Sequence, residues 1–84
     1  MKIQFTKNAL KDLEYWEKND PKKADRIEQL CNDIERHPFK GIGKPEPLQW
    51  GLQGYWSCRI NKKHRLTYAV EKDSIVIISC RHHY

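Results

Sequence analysis

Near its end the chain carries four consecutive β-branched residues, Ile75, Val76, Ile77 and Ile78. Branching at Cβ restricts a side chain in a helix and suits it to a pleated surface, so this run predicts a strand from Ser74 to Cys80, the most apolar in the chain. Such a strand needs neighbours, and the preceding residues supply them. After Gly54 the sequence alternates with period two: Trp56, Cys58 and Ile60 fall on one side, Tyr55, Ser57 and Arg59 on the other. A turn at Asn61 to Lys63 leads to a second alternating segment, in which Leu66, Tyr68 and Val70 oppose Arg65, Thr67 and Ala69. Glu71 to Asp73 makes the next turn. The result is an antiparallel meander, and its pairing brings Arg65, at the start of one strand, beside the residues that follow the next, Arg81, His82, His83 and Tyr84. The small side chains of Thr67 and Ala69 leave room for a ligand beside Arg65.

The first half is helical. Met1 to Phe5 reads as a short strand, with Ile3 and Phe5 on one side, and Thr6 is a natural helix N-cap. Ala9, Leu10, Leu13 and Trp16 then recur at three- and four-residue intervals, predicting an amphipathic helix that ends near Asn19. Asp20 before Pro21 starts a second helix, with a capping side chain and a proline at the first helical position. Its apolar stripe is Ala24, Ile27, Leu30, Cys31 and Ile34, and it must stop before Pro38, whose predecessor is driven out of the α region. The two helices form a hairpin. The predicted architecture is α+β, two N-terminal helices packed on a twisted antiparallel sheet in one domain spanning residues 1–84.

Charge divides the chain unevenly. Met1 to Arg36 holds eight Lys/Arg and eight Asp/Glu, whereas His37 to Tyr84 holds eight against three, so the whole net charge of +5 lies in the second half. A basic half suits a polyanionic partner, most plausibly nucleic acid. The three cysteines, Cys31, Cys58 and Cys80, are odd in number, lack paired metal-ligand spacing and sit in apolar periodic segments, which reads as reduced core thiols and a cytoplasmic protein. Neither a signal pattern nor an apolar run of roughly 20 residues is present, so the expectation is a soluble protein with no membrane partner.

Two clusters carry candidate chemistry. The loop from Phe39 to Leu48 holds Gly41, Gly43, Pro45 and Pro47 around Lys44 and Glu46; its prolines limit it to a stiff extended connection or an edge strand. Glu46 is the only acidic residue between Arg36 and Glu71. Held between two prolines it suits a base that must meet a substrate, with a solvated loop glutamate as an equal alternative. At the other end, histidines that titrate near neutral pH, an arginine and a phenol are groups that handle RNA, and alternation does not decide between His82 and His83. Trp50 and Trp56 are candidates for core, RNA platform or the contact of a homodimer; strand parity puts Trp56 in the core.

In order, Gly43, Lys44, Pro45, Glu46, Pro47 and Leu48, then Gly54, Trp56, Ser57, Arg59 and Ile60, then His64, Arg65, Leu66, Tyr68 and Val70, and finally Cys80, Arg81, His83 and Tyr84 closely resemble the YoeB toxins of the RelE/ParE superfamily. The resemblance runs the full length. It implies a microbial ribonuclease-like fold, a toxin of a bacterial type II toxin–antitoxin system, and cleavage of messenger RNA in the ribosomal A site. Partners implied are mRNA, the ribosome and an acidic antitoxin of the YefM type, with operator DNA reached only through the antitoxin complex. Carried over by position, the catalytic glutamate falls on Glu46, the phosphate-binding arginine on Arg65 and the terminal histidine and tyrosine on His83 and Tyr84. Gln49 stands where related toxins often carry lysine, and Cys58 where they often carry arginine.

The chemistry that fits is attack of a ribose 2′-hydroxyl on the adjacent phosphate without metal or other cofactor, since the sequence has no carboxylate cluster or evenly spaced histidines. Glu46 serves as base, His83 as acid and Arg65 as the charge stabiliser, while Lys44, Arg59 and Arg81 are candidate RNA contacts. Two rivals remain: a gyrase-poisoning toxin of the same fold, which needs no acid–base pair, and a non-catalytic RNA-binding module.

Overall fold

The structure, a computed structural model, describes residues 2–48 and 54–81. Along the chain run β1 (Lys2–Phe5), α1 (Lys7–Asn19), α2 (Pro21–Arg36), β2 (Glu46–Pro47), β3 (Tyr55–Arg59), β4 (Arg65–Val70) and β5 (Ser74–Ser79). The strands form one sheet in the order β1-β5-β4-β3-β2, with the helical hairpin on one face. The meander of β3, β4 and β5 is antiparallel, as expected, and β2 joins it antiparallel as the edge strand, but β1 lies parallel to β5, with Ile3 opposite Ile75. A strand that enters from the chain start needs no hairpin to reach its neighbour, so nothing constrains β1 to run antiparallel. No helix among the described residues is long and apolar enough to cross a membrane.

Thr6 connects β1 to both layers. Its hydroxyl accepts from the Ala9 N–H at 3.1 Å, capping α1, and donates to the Ile78 carbonyl at 3.0 Å. Ala9 and Trp16 are buried and Leu13 is half-buried, but Leu10 is 48 % exposed, contrary to the expected stripe. Ala9, Leu13 and Trp16 stand one and two turns apart and centre the buried face, and Leu10, about 100° away, falls on its margin. Asp20 does stand at the start of α2 with Pro21 next, and its carboxylate pairs with the Lys23 ammonium. Its own N–H bonds to the Trp16 carbonyl at 2.8 Å, so one residue closes α1 and opens α2.

The core between helices and sheet contains Ile27, Leu30 and Ile34 from α2, Leu66 and Tyr68 from β4, and Ile75 and Ile77 from β5. Val70, expected there, is only half-buried at the strand end. Odd-numbered residues of β5 face the core only as far as Ile77. Tyr68 pairs with Ile77 and Thr67 with Ser79, which leaves Ile78 as the extra residue of a β-bulge. Past it the parity reverses: Ser79 joins Thr67 on the outer face and Cys80 is fully buried.

Candidate active site

On the face turned away from the helices, register alone assembles a polar row. Glu46 of β2 stands opposite Ser57 of β3, Ser57 opposite Thr67 of β4, and Thr67 opposite Ser79 of β5. The bulge at Ile78 is what admits Ser79 to this row. Beside it, Arg59 and Arg65 face each other across β3 and β4. Like charges directly opposite on neighbouring strands repel, so this pair is an arrangement that an anion relieves. Part of the relief is internal: Arg65 Nη2 lies 3.5 Å from Glu46 Oε2, and Arg65 Nε donates to Ser57 Oγ at 2.6 Å. Glu46 keeps two thirds of its side chain exposed (66 %), whereas Arg65 is mostly covered (21 %).

The loop that presents Glu46 is fixed at many points. The buried Tyr68 phenol donates to the Pro38 carbonyl at 2.6 Å, and its burial pushes that phenol above its ordinary range. Asp33 of α2 accepts the Ile42 N–H at 3.0 Å, in the space where a Cβ on Gly41 (φ +137°) would stand. Gly43 lies against the core: a Cβ there would come within 2.7 Å of both Cys58 Cβ and Leu30 Cδ2, so only glycine fits without displacement. Its carbonyl accepts the Arg59 N–H at 3.0 Å, and Leu48 N–H bonds to the Tyr55 carbonyl at 2.8 Å, closing the β2–β3 pairing around Glu46. The phenyl ring of Phe39 rests on Trp56, centroids 4.9 Å apart, and Trp56 is half-buried against the core.

The remaining candidates are spread around this centre. Lys44 is exposed two residues before Glu46 and holds φ +52°, the left-handed region. Arg59 is exposed on β3, its backbone carbonyl taken by Arg26 Nη2 at 3.3 Å. Arg81 turns toward α1, its guanidinium carbon 3.5 Å from the centroid of the Tyr15 ring. His82, His83, Tyr84, Gln49 and Trp50 lie outside the described residues. Cys58 is fully buried on the helix side, so position 58 does not reach the face that Arg59 and Arg65 share. Burial pushes the Cys58 thiol up to about 12, with the Cys31 thiol nearby adding to the shift, so neither chemistry nor metal binding by thiolate is favoured there. Alternation puts Ser57 on the outer face without marking it; its hydroxyl matters only because Arg65, diagonally across on β4, reaches it, which is a consequence of register.

Set beside known proteins, residues 5–84 match the family model of YoeB-like toxins of bacterial type II toxin–antitoxin systems. The chain is 51 % identical over 84 residues to Toxin YoeB of Synechocystis (all of this chain, 98 % of the relative), and 49 % identical over 84 residues to Toxin YoeB of Streptomyces coelicolor, covering both completely. Among solved structures it is similar to the YoeB dimer of Staphylococcus aureus (TM-score 0.93, 44 % identity, 100 % of this chain and 98 % of that one). The YoeB–YefM complex from the same organism matches with a TM-score of 0.89 at 42 % identity, over 100 % of this chain and 98 % of that one.

Proposed function

The chain belongs to the YoeB-like toxins of bacterial type II toxin–antitoxin systems, in the RelE/ParE superfamily, and on that premise we propose that it is a ribosome-dependent endoribonuclease that cuts mRNA in the A site and so stops translation. The observation that carries the reading is the meeting of Glu46 and Arg65 at 3.5 Å on the outer sheet face. A carboxylate there has an exposed approach, and the arginine beside it suits the charge of a phosphate in transit.

Glu46 takes the proton from the ribose 2′-hydroxyl, O2′ attacks the adjacent phosphorus, and the bond from phosphorus to O5′ breaks. His83 returns a proton to O5′, giving a 2′,3′-cyclic phosphate and a free 5′-hydroxyl. Arg65 stabilises the charge that builds on the phosphoryl oxygens. Lys44 and Arg59 contact the RNA backbone, Arg81 follows it toward the chain end, and Tyr84 stacks on a base or orients the phosphate. General acid–base help is typically worth about 10²–10⁴-fold per group, which leaves much of the acceleration to positioning of the message by the ribosome.

An acidic antitoxin of the YefM type is the proposed partner in the cytoplasm, covering Arg65 and His83 and linking the toxin to operator DNA; the S. aureus YoeB–YefM complex supports that pairing. The S. aureus YoeB dimer supports a homodimer of this single-domain chain. Incubation with translating ribosomes tests the central claim. Cleaved message that disappears in Glu46→Ala and Arg65→Ala upholds it; binding without cutting makes the chain an RNA-binding module, and DNA breaks with intact message make it a gyrase poison.

A further inference from the structure

We propose that Ser57 is a positioning residue for Arg65: its buried hydroxyl holds the Nε edge of the guanidinium, so that the two terminal nitrogens face the phosphate and Glu46 stays free to act. The inference rests on the reading of Glu46 and Arg65 as the catalytic pair. It assigns to β3 a role that neither the loop nor the chain end supplies.

Three observations converge on Ser57. It is 4 % exposed although it lies on the outer face, and its Oγ accepts from Nε at 2.6 Å. It stands opposite Glu46 on one side and Thr67 on the other, at the centre of the polar row. Finally, the two contacts of Arg65 are unequal. The serine contact at 2.6 Å is a close hydrogen bond, whereas the Nη2 to Glu46 distance of 3.5 Å exceeds the usual hydrogen-bond range.

That inequality decides what happens when a phosphate arrives. A guanidinium presents five N–H donors in a rigid plane, and anchoring the Nε edge leaves the end bearing Nη1 and Nη2 for bidentate contact with phosphate oxygens. An approaching phosphate displaces the looser partner, Glu46, and leaves the serine bond in place. Glu46 is then released from the arginine at the moment its basic form is required, while the guanidinium keeps its plane. The residue type follows from the site. Alanine leaves Nε without its acceptor, and a longer side chain at a position already covered displaces the arginine; threonine keeps the hydroxyl and suits a strand.

Single-turnover cleavage of ribosome-bound message by wild type, Ser57→Ala, Ser57→Thr, Arg65→Lys and the Ser57→Ala/Arg65→Lys double variant tests this, with thermal unfolding to verify that each is folded. Ser57→Ala is expected to lower kcat by about 10- to 100-fold with little change in KM, the scale of a misplaced catalytic group. Ser57→Thr restores most of the rate. In the Arg65→Lys background, where no Nε fork edge exists, removing the serine hydroxyl has no further effect. A rate for Ser57→Ala within about two-fold of wild type, or the same loss in both backgrounds, overturns the assignment. A readout independent of cleavage is the Arg65 Nε–H resonance of ¹⁵N-labelled protein, expected to be protected from exchange in wild type and unprotected in Ser57→Ala; an unchanged resonance also overturns it. Should Glu46→Ala cleave as wild type does, the reading of Glu46 as the base fails while the resonance still reports on the Ser57 contact.

Discussion

The indole Nε1–H of Trp16 donates to the Cys80 carbonyl at 2.8 Å, tying the middle of α1 to the residue that follows β5. Beside it the Asp12 carboxylate accepts the Cys80 N–H at 3.1 Å, so both backbone groups of Cys80 are satisfied by side chains of one helix. This matters because the sheet no longer serves them. Beyond the bulge the last pairing with β4 is Thr67 to Ser79, and buried backbone groups past that point need other partners. With Tyr15 under the Arg81 guanidinium, α1 also holds the residue after Cys80.

Trp16→Phe therefore strands the Cys80 carbonyl in a buried setting. A loss of about 1–3 kcal/mol in unfolding free energy is expected from the missing hydrogen bond, and cleavage is expected to fall with it as Cys80 loses its anchor on α1. Urea unfolding combined with single-turnover rates measures both; unchanged stability would show that the carbonyl has found another donor.

Lys44 holds a conformation that costs a lysine about 1 kcal/mol or more, two residues before the proposed base. Strain of this kind persists where something else requires the side chain. Lys44→Asn, which tolerates the left-handed region, is expected to raise the melting temperature by a few degrees and to weaken RNA cleavage through loss of a phosphate contact. A variant that gains both stability and activity would remove Lys44 from the RNA-binding set.

The buried thiols make the fold sensitive to alkali. Burial pushes Cys31, Cys58 and Cys80 each from an ordinary 9.0 to about 12. Each folded thiol thus holds its proton more tightly than the unfolded one. The stability this provides is complete below about pH 9 and is lost as pH rises through the interval to about 12, at about 1.4 kcal/mol per pH unit for each thiol. Burial of Tyr68 acts in the same direction. Under reducing conditions, the destabilisation caused by Cys31→Ala at pH 8 should shrink by about 1.4 kcal/mol at pH 10. A penalty independent of pH would mean that the unfolded chain protects this thiol equally well.

Much of this architecture is legible in the residues because patterning and capping agree. Thr6, the helical stripe of Ile27, Leu30 and Ile34, and the alternation of Trp56, Ser57, Cys58 and Arg59 each have one compatible local structure. The bulge at Ile78 has no such signature. Four β-branched neighbours carry no polar alternation, so nothing local distinguishes Ile77 in the core from Ile78 outside the register. Two parts of the site inherit that gap: Ser79 joins the polar row only because of the bulge, and the contact of Ser57 with Arg65 depends on pairing across strands. Glu46 was visible for a different reason, since prolines on both sides of a lone carboxylate mark a stiffened segment before any pairing is known.

A change of leaving atom isolates the proton donor. If His83 protonates the departing O5′, His83→Ala should slow cleavage of ordinary RNA severely, by about 10²–10⁴-fold, because an alkoxide is a poor leaving group. Sulfur in place of that bridging oxygen leaves as a thiolate, whose conjugate acid titrates near 8.5, far below an alcohol, so the donor becomes dispensable. His83→Ala should then be largely rescued on the sulfur substrate. Glu46→Ala should not, because the 2′-hydroxyl must still lose its proton before O2′ attacks. Single-turnover rates on ribosome-bound messages carrying each linkage separate the two roles: equal defects for His83→Ala on both substrates would leave His83 to bind or orient the phosphate and would require another group to protonate O5′.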